Sequence, residues 1–186
     1  MNWIKEIEDY NPYNEQEASD KKFILDCIKQ YDNLLTRENP LAHMTSSGYI
    51  VNKNRDKVLM IHHNIYNTWA WTGGHTDGDS DLLHVAIKEA QEETGVKHFN
   101  IVNNEILSLD VLPVKGHFKK ENYISAHLHL SVAYVLECDE NEELIIKKDE
   151  NSGVKWIPIS EINLYSNEPD MIELYNKFNE KIKKLY

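Results

Sequence analysis

Glu89, Glu92 and Glu93 lie three and four residues apart, a spacing that puts three carboxylates on neighbouring positions of one helical face. Like charges held that close repel one another in a partly buried site, so the trio invites a counter-cation. Ligands that are all oxygen select hard cations, and Mg²⁺ in particular keeps several waters and completes its shell from carboxylates and phosphate oxygens. A run of acids alone would read as an ordinary solvent-facing helix. What sets this one apart is its flanks, a glycine-rich stretch at 73–78 ahead of it and Gly95 behind it, which is a favoured residue for ending a helix. A helix over roughly 81–94 results, with Leu82, Leu83, Ala86 and Ala90 on a second stripe suited to packing against a sheet.

The segment from Gly74 to Val96 resembles the Nudix box: Gly, five residues, Glu, seven residues, Arg-Glu, an aliphatic, one residue, Glu-Glu, one residue, Gly, an aliphatic. Gly74, Glu89, Ala90, Glu92, Glu93, Gly95 and Val96 fall in register, while Ser80 replaces the first Glu and Lys88 the Arg. Seven matches at fixed spacing are a specific signal. The resemblance implies an α/β/α sandwich with a mixed β-sheet. It implies Glu89, Glu92 and Glu93 as catalytic residues and as ligands of Mg²⁺, with Mn²⁺ as a substitute, and hydrolysis of the diphosphate bond of a nucleoside diphosphate derivative. In the family the first Glu and the Arg orient the metal-binding glutamates. Here Lys88 keeps the charge without the bidentate fork, and Asp79 or Asp81 stands beside Ser80 as the replacement carboxylate. A family carboxylate just before the last strand is matched best by Glu150, a further ligand or general base, with Glu121 as second choice.

Among the flanking residues, Gly74, His75, Lys88 and Trp71 are the ones expected to meet substrate. Trp69 and Trp71 alternate on the strand entering the box and so face one side, where core packing competes with stacking on a base or sugar. His127 and His129 share the polar face of a central strand. With glutamates present for Mg²⁺, none of the histidines is expected to ligate metal, because imidazole suits softer ions. Lys115, Lys119 and Lys120 read as a solvated loop.

The elements that must carry these residues follow from periodicity. Ile24, Ile28, Tyr31 and Leu35 form a stripe over 17–36, which predicts an N-terminal helix capped by Ser19 or Asp20. SSGYIVN and KVLMIHH read as a strand pair joined by a turn at 52–56, NIVNNEILSLDVLPV and NYISAHLHLSVAYVLE as two long strands, ELIIKK and VKWIPI as two shorter ones, and a closing helix begins near Pro169. In the second long strand Leu128, Leu130, Val132 and Tyr134 take one face and His127, His129 and Ser131 the other. The resemblance runs from about residue 44 to the end, leaving 1–43 as a helical extension packed on a 44–186 domain.

Twenty Lys plus Arg against 31 Asp plus Glu leave a net charge of −11, which repels phosphate backbones and excludes long nucleic acids as partners. A small polyphosphate is still admissible where divalent cations sit between carboxylates and its oxygens. Cys27 and Cys138 lie far apart in no metal spacing and read as core. The polar, acidic start and the lack of a membrane-length apolar run make the cytoplasm the expected location and a membrane an unexpected partner. The extra helix is a place for a homodimer contact. Two rivals share the fold. One is a module that senses a nucleotide without cutting it. The other, an isopentenyl diphosphate isomerase relative, would want a cysteine just ahead of the box helix, where this chain has Thr72-Gly73-Gly74.

Overall fold

Alternating and continuous apolar runs between residues 42 and 158 build one mixed sheet, seen in a computed structural model that describes residues 2–119 and 121–185. Lys120 lies outside them, as does the side chain of Lys119. The helices are α1 (Trp3–Asp9), α2 (Glu15–Gln30), α3 (Leu82–Thr94), α4 (Ile162–Tyr165) and α5 (Pro169–Leu185). The strands are β1 (Ala42–Asn52), β2 (Lys57–His63), β3 (Thr68–Ala70), β4 (Thr72–His75), β5 (Asn100–Ile101), β6 (Ser108–Val114), β7 (His117–Lys119), β8 (Asn122–Ile124), β9 (His127–Cys138) and β10 (Asn151–Pro158). The sheet runs β10-β2-β1-β9-β5, with β3 on β2, β4 on β1 and β6 on β9, while β7 and β8 form a separate hairpin. β1 and β9 run parallel from Ala42 opposite Leu128 to Asn52 opposite Cys138; the other pairings are antiparallel.

The period-2 pattern of β9 divides the core as expected. Leu130, Val132 and Tyr134 pack with Met44, Leu82 and Ala86 on the α3 side, joined by Ile7, Ile24, Cys27 and Leu34 from the N-terminal segment. Ala133 and Val135 pack with Tyr49, Val51, Tyr175, Phe178 and Ile182 on the α5 side. Helices therefore cover both faces, the α/β/α arrangement, and both cysteines are buried.

Local chemistry moves several boundaries. The N-terminal helix spans 15–30, not 17–36, because Asn14 caps it by accepting the Glu17 N–H at 2.9 Å and Tyr31 ends it in an extended conformation. Asp32 and Asn33 then favour a turn, and Leu34 stays buried from a loop whose carbonyl accepts the Met44 N–H at 2.7 Å. α1, capped by Asn2, precedes it. Of the stretch 100–114 only β5 and β6 are strand, separated around Asn103-Asn104. ELIIKK is not a strand: its Ile145 N–H donates to the Thr94 carbonyl at 2.8 Å, so its backbone serves the end of α3.

α2 lies along β6, whose Val111 N–H donates to Asp20 Oδ2 at 2.9 Å, a helix covering a sheet edge that would otherwise be open. Beneath it Glu17, fully buried, accepts from Lys181 Nζ at 2.9 Å, Ser108 Oγ at 2.8 Å, the Tyr13 N–H at 2.7 Å and the Tyr10 hydroxyl, with Lys177 Nζ at 3.2 Å. Among the described residues no helix is long and apolar enough to cross a membrane.

Candidate functional site

β4 and α3 are held against β1 by two kinds of bond. Thr72 to His75 pair with Gly48 to Thr45, and Ser46 Oγ donates to the Leu82 carbonyl at 2.6 Å, fixing the first turn of α3 on the strand. Asp81 caps that turn by accepting the His84 N–H at 3.0 Å. At the far end Gly95 has φ 78°, and a Cβ there would lie 2.5 Å from Ile145 Cβ, so both backbone and neighbour demand glycine.

Leu82, Val85, Ala86 and Ala90 turn α3 toward the sheet, which brings its acids to the glycine loop. Glu93, 4% exposed, accepts the Gly73 N–H on Oε2 at 3.0 Å. Glu89 faces Gly74 so closely that a Cβ on Gly74 would lie 2.5 Å from the Glu89 carboxyl carbon. Glu92 is more open, with Lys147 Nζ 3.0 Å from Oε2. The same ammonium is 2.9 Å from Glu150 Oε2, which draws the turn before β10 to the box. Lys88 Nζ stands 3.7 Å from Glu89 Oε1 and 3.8 Å from Glu92 Oε1.

The three carboxyls differ in proton affinity because their surroundings differ. Burial pushes Glu93 up to about 8, with the Gly73 hydrogen bond opposing and Glu150 and Glu89 adding to the rise. Burial raises Glu89 as well, against the pull of Lys88 and with a push from Glu92. The Lys147 hydrogen bond holds Glu92 below the usual carboxylate range.

Lys88 pairs with the glutamates themselves, not with the acids proposed to replace the box's first Glu. Asp79 Oδ2 is 2.8 Å from His84 Nδ1 and its Oδ1 accepts the Asp81 N–H at 2.9 Å, while Asp81 is the helix cap. Trp71 and His75 leave the other side of the sheet. Trp71 packs on Tyr175 and Phe178 of α5, its ring centroid 6.3 Å and 5.2 Å from theirs, and Trp69 also lies on that core. His75 pairs with Thr45, whereas the next pair, Ser46 and Gly74, faces α3. Glu121, the second choice, sits exposed at the β7–β8 turn.

Two residues at the site went unread in the sequence. Lys147 lies in the run taken for a strand. Asn151, buried at the start of β10, donates from Nδ2 to the Glu93 carbonyl at 2.9 Å, and its Oδ1 has no partner among the described residues. No local pattern marks either, since each acts through a segment about 55 positions away.

A mixed sheet lies between helices, with a glycine loop facing an acidic helix. The chain belongs to the Nudix family: the family model for the NUDIX domain matches residues 42–178. No curated protein matches it. Among solved structures it is similar to a C. elegans Ap4A hydrolase in a binary complex, at 16% identity over 76% of this chain and 98% of that one, TM-score 0.57. It is similar to the NUDIX domain of Shewanella oneidensis NrtR complexed with ADP ribose, at 17% identity over 84% and 97%, TM-score 0.57. The E. coli dihydroneopterin triphosphate pyrophosphohydrolase is 11% identical over 73% and 93%, TM-score 0.53. At these identities the likeness is one of fold.

Proposed function

We propose that the chain is a Mg²⁺-dependent pyrophosphohydrolase that cuts the diphosphate linkage of a nucleoside diphosphate joined to another group. The observation that carries this reading is the convergence of Glu89, Glu92, Glu93 and Glu150 on one patch beside the Gly73-Gly74 loop.

The patch fits a hard divalent ion. Its donors are all carboxylate oxygens, and a lysine ammonium already bridges two of them from separate segments. Glu89, Glu92 and Glu93 would hold Mg²⁺, or Mn²⁺ in its place, and the bound ion supplies charge neutralisation at phosphoryl oxygens and a lowered pKa for the attacking water. The chain's own residues do the rest. The Gly73 N–H fixes the Glu93 rotamer. Gly74 leaves room for the Glu89 carboxyl and lets the backbone approach the substrate. Glu150 accepts the water proton at a carboxylate oxygen, and Lys88 faces the phosphates. Trp71 and His75 lie on the opposite face of the sheet, away from this patch.

The solved relatives name an Ap4A hydrolase, an ADP-ribose complex and a pterin triphosphate pyrophosphohydrolase. The substrate panel is therefore dinucleoside polyphosphates, ADP-ribose, nucleotide sugars and nucleoside triphosphates, each assayed with Mg²⁺ for wild type and Glu92→Gln. Turnover of one class, lost in the variant, supports the enzyme. Thermal stabilisation by a panel compound without turnover would establish a sensing module instead.

A further inference from the structure

On the α5 side of the sheet, at the end where β1, β4 and β9 begin or finish, four histidines meet. His43 of β1 is in register with His129 of β9, and Thr45, two residues on, is in register with His75 of β4. His127 precedes His129 by two, so alternation puts all four side chains on one face. The ring of His43 lies 4.9, 4.7 and 5.2 Å from those of His75, His127 and His129, centroid to centroid. One ring nitrogen from each of the four falls within 4.8 Å of the others.

In two of the four rings the outer hydrogen bond points a lone pair inward. His43, 5% exposed, has Nδ1 3.2 Å from the Asn39 carbonyl, and His127 has Nδ1 2.8 Å from the Ser125 carbonyl. A carbonyl only accepts, so both Nδ1 atoms carry the hydrogen and both Nε2 atoms carry a lone pair. This is the outer hydrogen bond that metal-ligating histidines make. His43 Nε2 is buried with no hydrogen-bond partner among the described residues, and His127 Nε2 faces His129 Nε2 at 3.3 Å.

We propose that His43, His75, His127 and His129 form a transition-metal site, distinct from the carboxylate patch and of the tetrahedral, all-imidazole kind that suits Zn²⁺. Four ligands at about 2.0–2.1 Å from a tetrahedral ion stand about 3.3–3.4 Å apart, the separation His127 and His129 already have. The remaining nitrogens lie within 4.8 Å of one another and draw closer when an ion is held. Neutral imidazole takes Zn²⁺, Ni²⁺ or Cu²⁺ in preference to Mg²⁺, so the two faces of the sheet select different ions. The proposal departs from the expectation that no histidine ligates metal, and it rests on His43, which only the β1–β9 register brings into the group. Because His75 follows Gly74, an ion here ties the box loop to β1 and β9.

The test uses full-length protein free of any histidine tag, stripped with chelator and titrated with Co²⁺, whose visible bands are intense in tetrahedral sites. Uptake of one equivalent with those bands, bleached by Zn²⁺, is expected. The bands should vanish in His43→Gln and in the more exposed His127→Gln, with circular dichroism reporting that the fold persists, and should survive in Glu92→Gln. A weak octahedral spectrum only, bands retained in folded His127→Gln, or bands lost in Glu92→Gln would each overturn the site. None of these readouts depends on turnover, so the proposed hydrolysis can fail while the metal site stands, and the reverse.

Discussion

Nζ of Lys147 lies 3.0 Å from Glu92 Oε2 and 2.9 Å from Glu150 Oε2, so one ammonium joins α3 to the turn before β10. Both carboxylates hold the lysine's proton more firmly than in water, against the opposing effect of burial. The lysine thus fills the role of counter-cation among acids that would otherwise repel, and a divalent ion held by Glu92 would compete with it.

Lys147→Met should lower the Mg²⁺ concentration needed for half-maximal activity several-fold. Because the pair is partly exposed, the cost to metal-free stability should stay below about 1 kcal/mol. Mg²⁺ titrations of activity and of melting temperature check both; an unchanged Mg²⁺ requirement would show that the lysine does not compete.

Gly74→Ala would put a methyl 2.5 Å from the Glu89 carboxyl. The obstacle is the far end of a flexible side chain, so the fold accommodates it but Glu89 leaves its position. Activity should fall roughly 100-fold, as misplacement of about 1 Å at a reacting centre can cost, with melting temperature nearly unchanged.

Glu93→Gln keeps an oxygen for the Gly73 N–H and removes a charge that burial disfavours. It should be at least as stable as wild type without Mg²⁺ and lose the stabilisation that Mg²⁺ gives. Parallel melts with and without the ion decide this, and a Mg²⁺ shift equal to that of wild type would remove Glu93 from the ligand set.

Glu17 sets the acid limit of the fold. Burial alone would raise its carboxyl, but hydrogen bonds from Tyr10, the Tyr13 N–H and Lys181 outweigh it and hold it at about 2, against an ordinary value of 4.5. A carboxyl depressed on folding contributes stability that is complete above 4.5 and lost as pH falls toward 2. The shift corresponds to on the order of 3 kcal/mol. Glu17→Gln should destabilise the protein at neutral pH by a comparable amount, since Lys177 and Lys181 keep their charge with one partner fewer. Its urea midpoint should also change less between pH 5 and 3 than that of wild type.

The acidic helix was legible because its information is local. Spacing, glycine stop and apolar stripe all lie between residues 73 and 96, and α3 runs 82–94 from an Asp81 cap to a left-handed Gly95. The alternation of β9 and the start of α5 at Pro169 were readable for the same reason. Boundaries failed where the chain's hydrogen bonds go to distant partners. Leu34 and Leu35 fit a helical stripe, yet their carbonyls serve Met44 and Gly78. ELIIKK has a strand's composition, yet Ile145 bonds to the end of α3.

By itself the sequence determined most of the strands and helices, the three glutamates on one face and the glycines beside them, because backbone periodicity and φ preference act over a few residues, while the mixed sheet was implied by the family resemblance. Only the tertiary structure decided that Lys147, Glu150 and Asn151 reach the acids, that Trp71 and His75 turn to the other side, and that His43 joins three other imidazoles. Those outcomes depend on strand register, and a shift of one residue sends every side chain of a strand to the opposite face.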